Sequence, residues 1–101
     1  MTDDRIRTVI ETDFVAGELK AKGKIRNLCA GGLFVRTPVV PEQGDSVRLR
    51  FRAPTGTRVD VAGLVWWTTV ERGLKGRRAG FGVRVLDASD DYQTLIEMLR
   101  R

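Results

Sequence analysis

The chain has 101 residues, of which 42% are hydrophobic and 31% are charged. This is the length of about one domain and the composition of an ordinary globular protein, so a multidomain enzyme and a disordered chain are excluded. We expect a single domain over residues 1–101. Eighteen Lys and Arg residues against thirteen Asp and Glu residues give a net charge of +5. This excess favours an anionic partner, such as a nucleic acid, a nucleotide or an acidic protein surface.

The sequence lacks the residues that most metal-binding and catalytic sites need. The sequence contains no His, and its one Cys, Cys29, cannot form a disulfide or a Cys-rich zinc site within the chain. Because no nucleophile is paired with a base, we expect neither catalytic nor metal-binding residues. The N-terminus lacks the pattern of a signal peptide, and no apolar run approaches the ~20 residues of a membrane helix. We therefore expect a cytoplasmic protein without membrane insertion.

The first half of the chain predicts three strands. Residues from Ile6 to Val15 mix β-branched and polar side chains, and Lys24 to Leu28 follows a glycine-bearing turn region at residues 16–23. Leu33 to Val35 makes a third, short strand. Proline and glycine residues then predict a loop over residues 37–45.

The clearest pattern is the alternation in residues 47–52. A period of two sends the apolar residues to one face of a strand and three arginines, Arg48, Arg50 and Arg52, to the other. A long strand is predicted from about Arg58 to Val70, followed by a hairpin tip from Gly73 to Arg78 and a last strand from Gly80 to Leu86. Six strands in sequence indicate a barrel or a sandwich.

The C-terminus predicts a helix. Ser89 is a candidate N-cap followed by two acidic residues, apolar residues recur at helical spacing, and Arg100 and Arg101 suit the last turn. In the preceding long strand, Trp66 and Trp67 fall on opposite faces, and a strand that is apolar on both faces is covered on both. We therefore expect the helix to pack on the outside of the sheet near Trp66 or Trp67.

One segment carries a resemblance to a known family. Asn27-Leu28-Cys29-Ala30-Gly31-Gly32-Leu33-Phe34-Val35 resembles the PilZ signature, written Asp or Asn, x, Ser, x, x, Gly and followed by an apolar strand. The later segments Gly63–Trp67 and Gly80–Val85 and the final helix stand in that family's order, so the resemblance covers residues 5–100. It is closest in kind to the short stand-alone PilZ-like proteins of myxobacteria and their relatives. It implies a mainly β fold, a six-stranded antiparallel barrel with a C-terminal helix on its outside, which agrees with the elements predicted above.

The resemblance also implies a ligand. In the PilZ family, cyclic di-GMP is held between the signature turn and an Arg-x-x-x-Arg segment near the N-terminus. Guanidinium groups suit this task because they contact phosphate or guanine acceptors with two parallel hydrogen bonds. The residues that match these positions form the candidate nucleotide site: Arg5, Arg7, Asn27, Cys29 and Gly32.

Two departures from the family pattern weaken that site. If Arg7 is the second arginine, the first position falls on Asp3, and if Arg5 is the second, the first falls on Met1. An acid in place of a phosphate-facing arginine repels the ligand. Cys29 stands at the Ser position, where its thiol is a weak donor and acceptor. With ~1.5 to 3 kcal/mol for each charged hydrogen bond, two lost arginine contacts weaken binding about 100-fold or more.

The leading hypothesis is a PilZ-type signalling adaptor that contacts another protein and whose cyclic di-GMP binding is lost or weak. A partner with an acidic surface would complement the net charge. The candidate partner surface comprises Arg48, Arg50, Arg52 and Trp66, with Arg36 and Arg84 nearby. Regulation of bacterial motility or surface behaviour is implied by the resemblance alone. The alternative is a genuine cyclic di-GMP receptor that uses the Asn27–Gly32 turn with Arg5 and Arg7.

Each of these features also has a purely structural explanation. Asn27, Gly31 and Gly32 also form turns by tolerating positive φ, and charged outer faces of barrels are usually just solvated. Cys29, between apolar neighbours, reads as a small buried hydrophobe. A nucleic-acid-binding function is disfavoured, because such barrels need exposed aromatic residues to stack on bases. Three of the phenylalanines are predicted to be core residues instead: Phe34, Phe51 and Phe81.

Overall fold

The computed structural model describes residues 5–70 and 79–100, so the predicted tip at Gly73–Arg78 lies outside the described residues. Six strands close into a barrel in the order β1-β2-β3-β6-β5-β4, and every neighbouring pair is antiparallel. The predicted barrel with a C-terminal helix is confirmed. The elements are β1 (Ile6–Ala16), β2 (Leu19–Cys29), β3 (Gly32–Arg36), β4 (Ser46–Arg52), β5 (Arg58–Thr69), β6 (Gly80–Ala88) and α1 (Asp90–Leu99).

The largest boundary error in the sequence prediction is the start of β2. This strand begins at Leu19 instead of Lys24, because the turn from β1 needs only two residues. Gly17 has a φ of 63°, which a glycine adopts at no steric cost, and Ala16 already pairs with Leu19. Leu19 and Ala21 alternate with lysines and pack partly against the core. The alternation was therefore present in the predicted turn region.

The barrel interior is filled by the apolar residues that alternate along the strands. In β4, each apolar residue is buried and each arginine is exposed, as the period of two predicts. Ile25 and Val35 are fully buried opposite each other on β2 and β3. The rings of Phe14 and Phe81 meet edge to face with centroids 5.0 Å apart. One continuous core thus fixes the strand register, and the register determines which side chains lie on the outer wall.

The helix packs against this core and is attached to β5 at its start. Ser89 occupies the N-cap position, but its side chain makes no capping bond. Instead, the Ser89 hydroxyl accepts a hydrogen bond of 3.2 Å from the Asp60 amide, and the Ser89 amide donates to the Asp60 carbonyl at 2.9 Å. Arg100 is the C-cap residue rather than part of the last turn, and Arg101 lies outside the described residues. The buried helix residues are Tyr92, Leu95 and Ile96.

The prediction that the helix covers Trp66 or Trp67 is wrong. The helix begins just after Ala88, which pairs with Val61 near the start of β5, whereas the two tryptophans lie towards the other end of that strand. Trp66 is 53% exposed and Trp67 is 43% exposed. The register of β5 and β6 shifts between Val65 and Trp67, so these consecutive tryptophans both reach the outer surface.

Candidate functional site

The signature segment lies at the end of the barrel that also carries the helix. Strands β1 and β3 start there and strands β2 and β6 end there, because all neighbouring strands are antiparallel. Cys29 pairs with Gly32, so the turn between β2 and β3 consists of only two residues, Ala30 and Gly31. The first described residue, Arg5, precedes β1 at the same end. The fold thus brings the N-terminal segment to the signature turn.

Arg5 makes a direct contact with the signature. Its Nη1 donates a hydrogen bond of 2.6 Å to Oδ1 of Asn27. Its Nη2 lies 3.8 Å from the point where a Cβ atom on Gly32 would stand. Arg5, Asn27 and Gly32 are therefore neighbours, as the sequence predicts.

Gly32 is required by close packing rather than by an unusual backbone angle. A Cβ atom there would stand 2.7 Å from the carbonyl oxygen of Val83 on the neighbouring strand, which is too close for any side chain. Among the glycines that the structure describes, positive φ occurs at Gly17, Gly44 and Gly56, and not at Gly31 or Gly32. The explanation of these two glycines by positive φ is therefore wrong.

Cys29 is a free thiol and is buried, with 8% of its surface exposed. Its carbonyl oxygen accepts a hydrogen bond of 2.6 Å from the hydroxyl of Tyr92 on α1. Burial raises the pKa of Tyr92 above its ordinary value, as does the proximity of Cys29, while Arg5 acts in the opposite direction. This hydrogen bond joins the helix to the last residue of β2, directly before the signature turn.

Arg5 opens onto a shallow cavity of about 260 Å³, called here the Arg5 groove. The guanidinium of Arg84 lies 4.9 Å from the centroid of the Trp66 ring, a cation–π distance. Trp67 stacks on Phe34 with centroids 5.2 Å apart, which buries Phe34 on the outer wall rather than in the barrel interior. The groove is lined by Arg5, Cys29, Gly31, Gly32, Trp66, Trp67, Val83 and Arg84.

The sequence prediction missed the role of Arg84 and the tryptophans in this groove. From the sequence, Arg84 is expected to lie near the arginines of β4. In the structure, Arg84 pairs with Leu64 on β5, and its guanidinium lies over the ring of Trp66. The available signal was the pair of consecutive tryptophans in a strand, which places at least one indole on the outer wall. The position of that indole relative to Gly32 depends on the strand order, and the local sequence does not specify this order.

Arg7 does not line the Arg5 groove. It lines a separate cavity of about 450 Å³ on the outer wall of β1, β2 and β3, called here the Arg36 groove. Asn27 lines this second cavity while its side chain bonds Arg5. The five candidate nucleotide residues are thus divided between two cavities. The Arg36 groove is lined by Arg7, Thr8, Val9, Arg26, Asn27 and Arg36.

The arginines of β4 are partly engaged within the fold. Arg50 forms an ion pair with Asp60 at 3.0 Å, and Arg52 donates to the carbonyl of Gly56 at 2.8 Å. Arg48 and Arg50 line a third cavity of about 810 Å³, the Arg48 groove, on the outer wall around β4 and β5. Trp66 lines the Arg5 groove instead, so the candidate partner residues do not form one cluster. Arg84 lines the Arg5 groove and Arg36 lines the Arg36 groove, so neither shares a cavity with the arginines of β4.

Within residues 5–70 and 79–100, no group of three or more His, Cys, Asp or Glu side chains is arranged to hold a metal ion. Across those same residues, no helix has the length and apolar character needed to cross a bilayer.

Comparison with known proteins gives a consistent result. The motility inhibitor MotI/DgrA of Bacillus subtilis has a similar structure, with a TM-score of 0.78 and 19% sequence identity over 100% of this chain. This chain spans about half of MotI/DgrA, 51% of its length. The PilZ domain of CeSA from a cellulose-synthesizing bacterium matches with a TM-score of 0.66 and 16% identity, covering 95% of this chain and 94% of that one. A search of curated proteins found no match.

These structural likenesses show the fold, since both sequence identities are below a quarter. The family follows from the sequence: the model of the PilZ domain matches residues 2–101. The signature at Asn27–Gly32, the closed barrel and the C-terminal helix agree with this match, and the chain therefore belongs to the PilZ domain family.

Proposed function

We propose that this chain is a PilZ-type signalling adaptor that acts through contacts with another protein, and that its affinity for cyclic di-GMP is lost or weak. PilZ domains are generally binding or adaptor domains. The similarity to the motility inhibitor MotI/DgrA supports a role in bacterial motility.

The observation that carries the proposal is the composition of the Arg5 groove. Arg5 lines this groove, and its Nη1 is already bonded to Asn27. The family's first arginine has no counterpart here, because the positions four residues before Arg5 and Arg7 are Met1 and Asp3. A buried thiol stands where a hydroxyl would meet the ligand. The cavity of about 260 Å³ is also smaller than the ~300 to 1,000 Å³ typical of ligand pockets.

The direct test is isothermal titration of the protein with cyclic di-GMP at near-physiological salt. We expect no binding up to about 100 μM, which corresponds to a binding free energy weaker than ~5.5 kcal/mol. A dissociation constant in the low micromolar range would contradict the loss of the ligand. An Arg5→Ala, Arg7→Ala double variant and an Arg52→Ala control then show whether any binding depends on the N-terminal arginines or on positive charge in general.

A second candidate function is a genuine cyclic di-GMP receptor. It is favoured by the contact of Arg5 with Asn27 and by the presence of Arg84 and Trp66 in the same groove, because guanidinium groups and an indole can both meet a guanine base. In this case the titration gives binding that is lost in the Arg5→Ala, Arg7→Ala variant and retained in Arg52→Ala.

The adaptor role makes a separate prediction about surfaces. Arg48 has no ion pair or side-chain hydrogen bond within the described residues, and Trp66 is exposed, so these two side chains are the ones most available to a partner. Arg and Trp are also enriched among residues that dominate binding energy. Affinity capture from the source bacterium with Arg48→Glu and Trp66→Ala variants tests this, with Lys20→Ala, which removes an exposed cation on β2, as the control. A partner retained equally by all the variants would contradict the assignment of this surface.

A further inference from the structure

The Arg36 groove is the most strongly cationic of the three cavities described above. Three of its six lining residues are arginines, and none is Asp or Glu. The other two described cavities differ: the Arg5 groove combines two arginines with two tryptophans, and the Arg48 groove includes three aspartates. The three arginines of the Arg36 groove are Arg7, Arg26 and Arg36.

These arginines converge because the strands are irregular at this point. The register shifts between Arg7 and Ile10 in the β1–β2 pair, and between Ile25 and Asn27 in the β2–β3 pair. Such a bulge adds a residue to one strand and interrupts the alternation of faces. Ile25 is fully buried, while Arg26 and Asn27 are both partly exposed. The irregularity therefore leaves two consecutive residues, Arg26 and Asn27, on the outer wall, where they line the same cavity as Arg7 and Arg36.

Within residues 5–70 and 79–100, no acidic side chain forms an ion pair with the arginines of this cavity. In the part of the chain that the structure describes, the ion pairs are those of Asp60 with Arg50 and Arg58, on another wall of the barrel. The Nε atom of Arg36 is buried and has no hydrogen-bond partner among the described residues. A buried donor on a charged group is unfavourable unless an acceptor meets it, and like charges around one cavity repel each other. An anion at this position would relieve both effects.

We propose that the Arg36 groove binds a phosphate dianion, either as inorganic phosphate or as the phosphate of a small phosphomonoester. Guanidinium groups bind the terminal oxygens of phosphate with paired hydrogen bonds. Thr8 adds a hydroxyl to the lining. The volume of about 450 Å³ lies within the range of ~300 to 1,000 Å³ for ligand pockets. This site is separate from the Arg5 groove and does not rest on the proposed function.

The test is an NMR titration that follows the arginine Nε–H signals of the 15N-labelled protein. Inorganic phosphate and O-phosphoserine are added in parallel, with sodium chloride at matched ionic strength as the reference. We expect a saturable shift of the Arg36 Nε–H signal with phosphate and not with chloride. Saturation by both probes indicates a site open to monoesters, and saturation by phosphate alone indicates a site for the free anion. Either result supports the phosphate dianion.

Matched variants distinguish a specific phosphate site from the general attraction of anions to a basic protein. Arg26→Gln and Arg36→Gln should each weaken phosphate binding by roughly 10-fold or more, because each removes a charged hydrogen-bond donor. Arg52→Gln, an exposed arginine on β4 outside the groove, should leave binding unchanged, and the dispersion of the amide spectrum reports whether each variant is folded. The proposal is overturned if no saturable shift appears up to about 10 mM phosphate, or if Arg52→Gln weakens binding as much as Arg36→Gln. Because Arg7 and Asn27 are also candidate nucleotide residues, binding of cyclic di-GMP is decided by its own titration and not by these results.

Discussion

The hydroxyl of Tyr92 on α1 donates a hydrogen bond of 2.6 Å to the carbonyl oxygen of Cys29 at the end of β2. These residues are 63 positions apart in the chain, and the bond fastens the C-terminal helix to the strand that leads into the signature turn. The Tyr92 side chain is also part of the hydrophobic core. The helix is thus tied to the candidate site by a polar contact within an apolar environment.

Replacement of Tyr92 by Phe should destabilise the protein although it retains the ring. The change leaves the buried Cys29 carbonyl without its donor, which costs about 1 to 3 kcal/mol of the free energy of unfolding. Urea denaturation measures this loss. Thr94→Val is the matched control, because it removes an exposed hydroxyl from the same helix and should change stability by less than ~0.5 kcal/mol. Equal effects of the two variants would show that the Tyr92 bond contributes nothing particular.

The same residue should make stability fall at alkaline pH. Burial raises the pKa of Tyr92 above its ordinary value near 10, so the folded protein keeps this proton when the unfolded chain has lost it. The contribution of Tyr92 is therefore fully present below pH 10 and decreases above it, by at most ~1.4 kcal/mol per pH unit. Unfolding of the wild type and Tyr92→Phe across this range tests the sign. We expect the stability difference between them to shrink as pH rises, and a constant difference would contradict the shift.

Much of this fold is specified by local patterns. The alternation in β4 predicts which side chains are buried, and it follows from neighbouring residues in the chain. The proximity of Asn27 and Gly32 to Arg5 is implied by the family resemblance and not by a local pattern, because Arg5 and Asn27 are 22 positions apart. The start of the helix at Ser89 is also local, although the capping bond is not, because the Ser89 hydroxyl bonds Asp60 on a distant strand instead.

The features that local patterns do not specify depend on strand irregularities. The bulge at Val65–Trp67 exposes two tryptophans that strict alternation would place on opposite faces. The bulge at Ile25–Asn27 places two consecutive residues, Arg26 and Asn27, on the outer wall, where both line the Arg36 groove. A shift of one residue reverses the face of every later side chain, so sites on the outer wall are the part of the structure most sensitive to it.

Gly82 leaves the space that the indole of Trp67 occupies, so its replacement should destabilise the protein. A Cβ atom at Gly82 would overlap the indole of Trp67, which stacks on Phe34. Gly82→Ala should therefore cost about 1 to 3 kcal/mol, as overpacking does, and expose the indole. A Trp66→Phe background leaves Trp67 as the only tryptophan, so a red shift of its fluorescence reports the displacement directly.

Gly31→Ala is the matched control for Gly82→Ala. Gly31 has no heavy atom within 4 Å of an added Cβ and does not have a positive φ, so the same change in side chain meets open space. We expect little loss of stability and no fluorescence shift. Since Gly→Ala lowers the entropy of the unfolded chain and by itself favours folding, a loss at Gly31 as large as that at Gly82 would show that the effect does not depend on overlap with the indole.

Restoring the family's contacts should restore affinity for cyclic di-GMP if their loss is the reason for weak binding. Asp3→Arg creates an Arg-x-x-x-Arg segment that ends at Arg7, and Cys29→Ser returns the signature hydroxyl. The change from an acid to a guanidinium replaces repulsion by attraction, and one charged hydrogen bond of ~1.5 to 3 kcal/mol corresponds to at least about 10-fold in affinity. Titration calorimetry should show binding by the double variant, weaker binding by Asp3→Arg alone and none by Cys29→Ser alone. If the double variant, like the wild type, shows no binding, then the shape of the Arg5 groove and not its missing charge prevents binding.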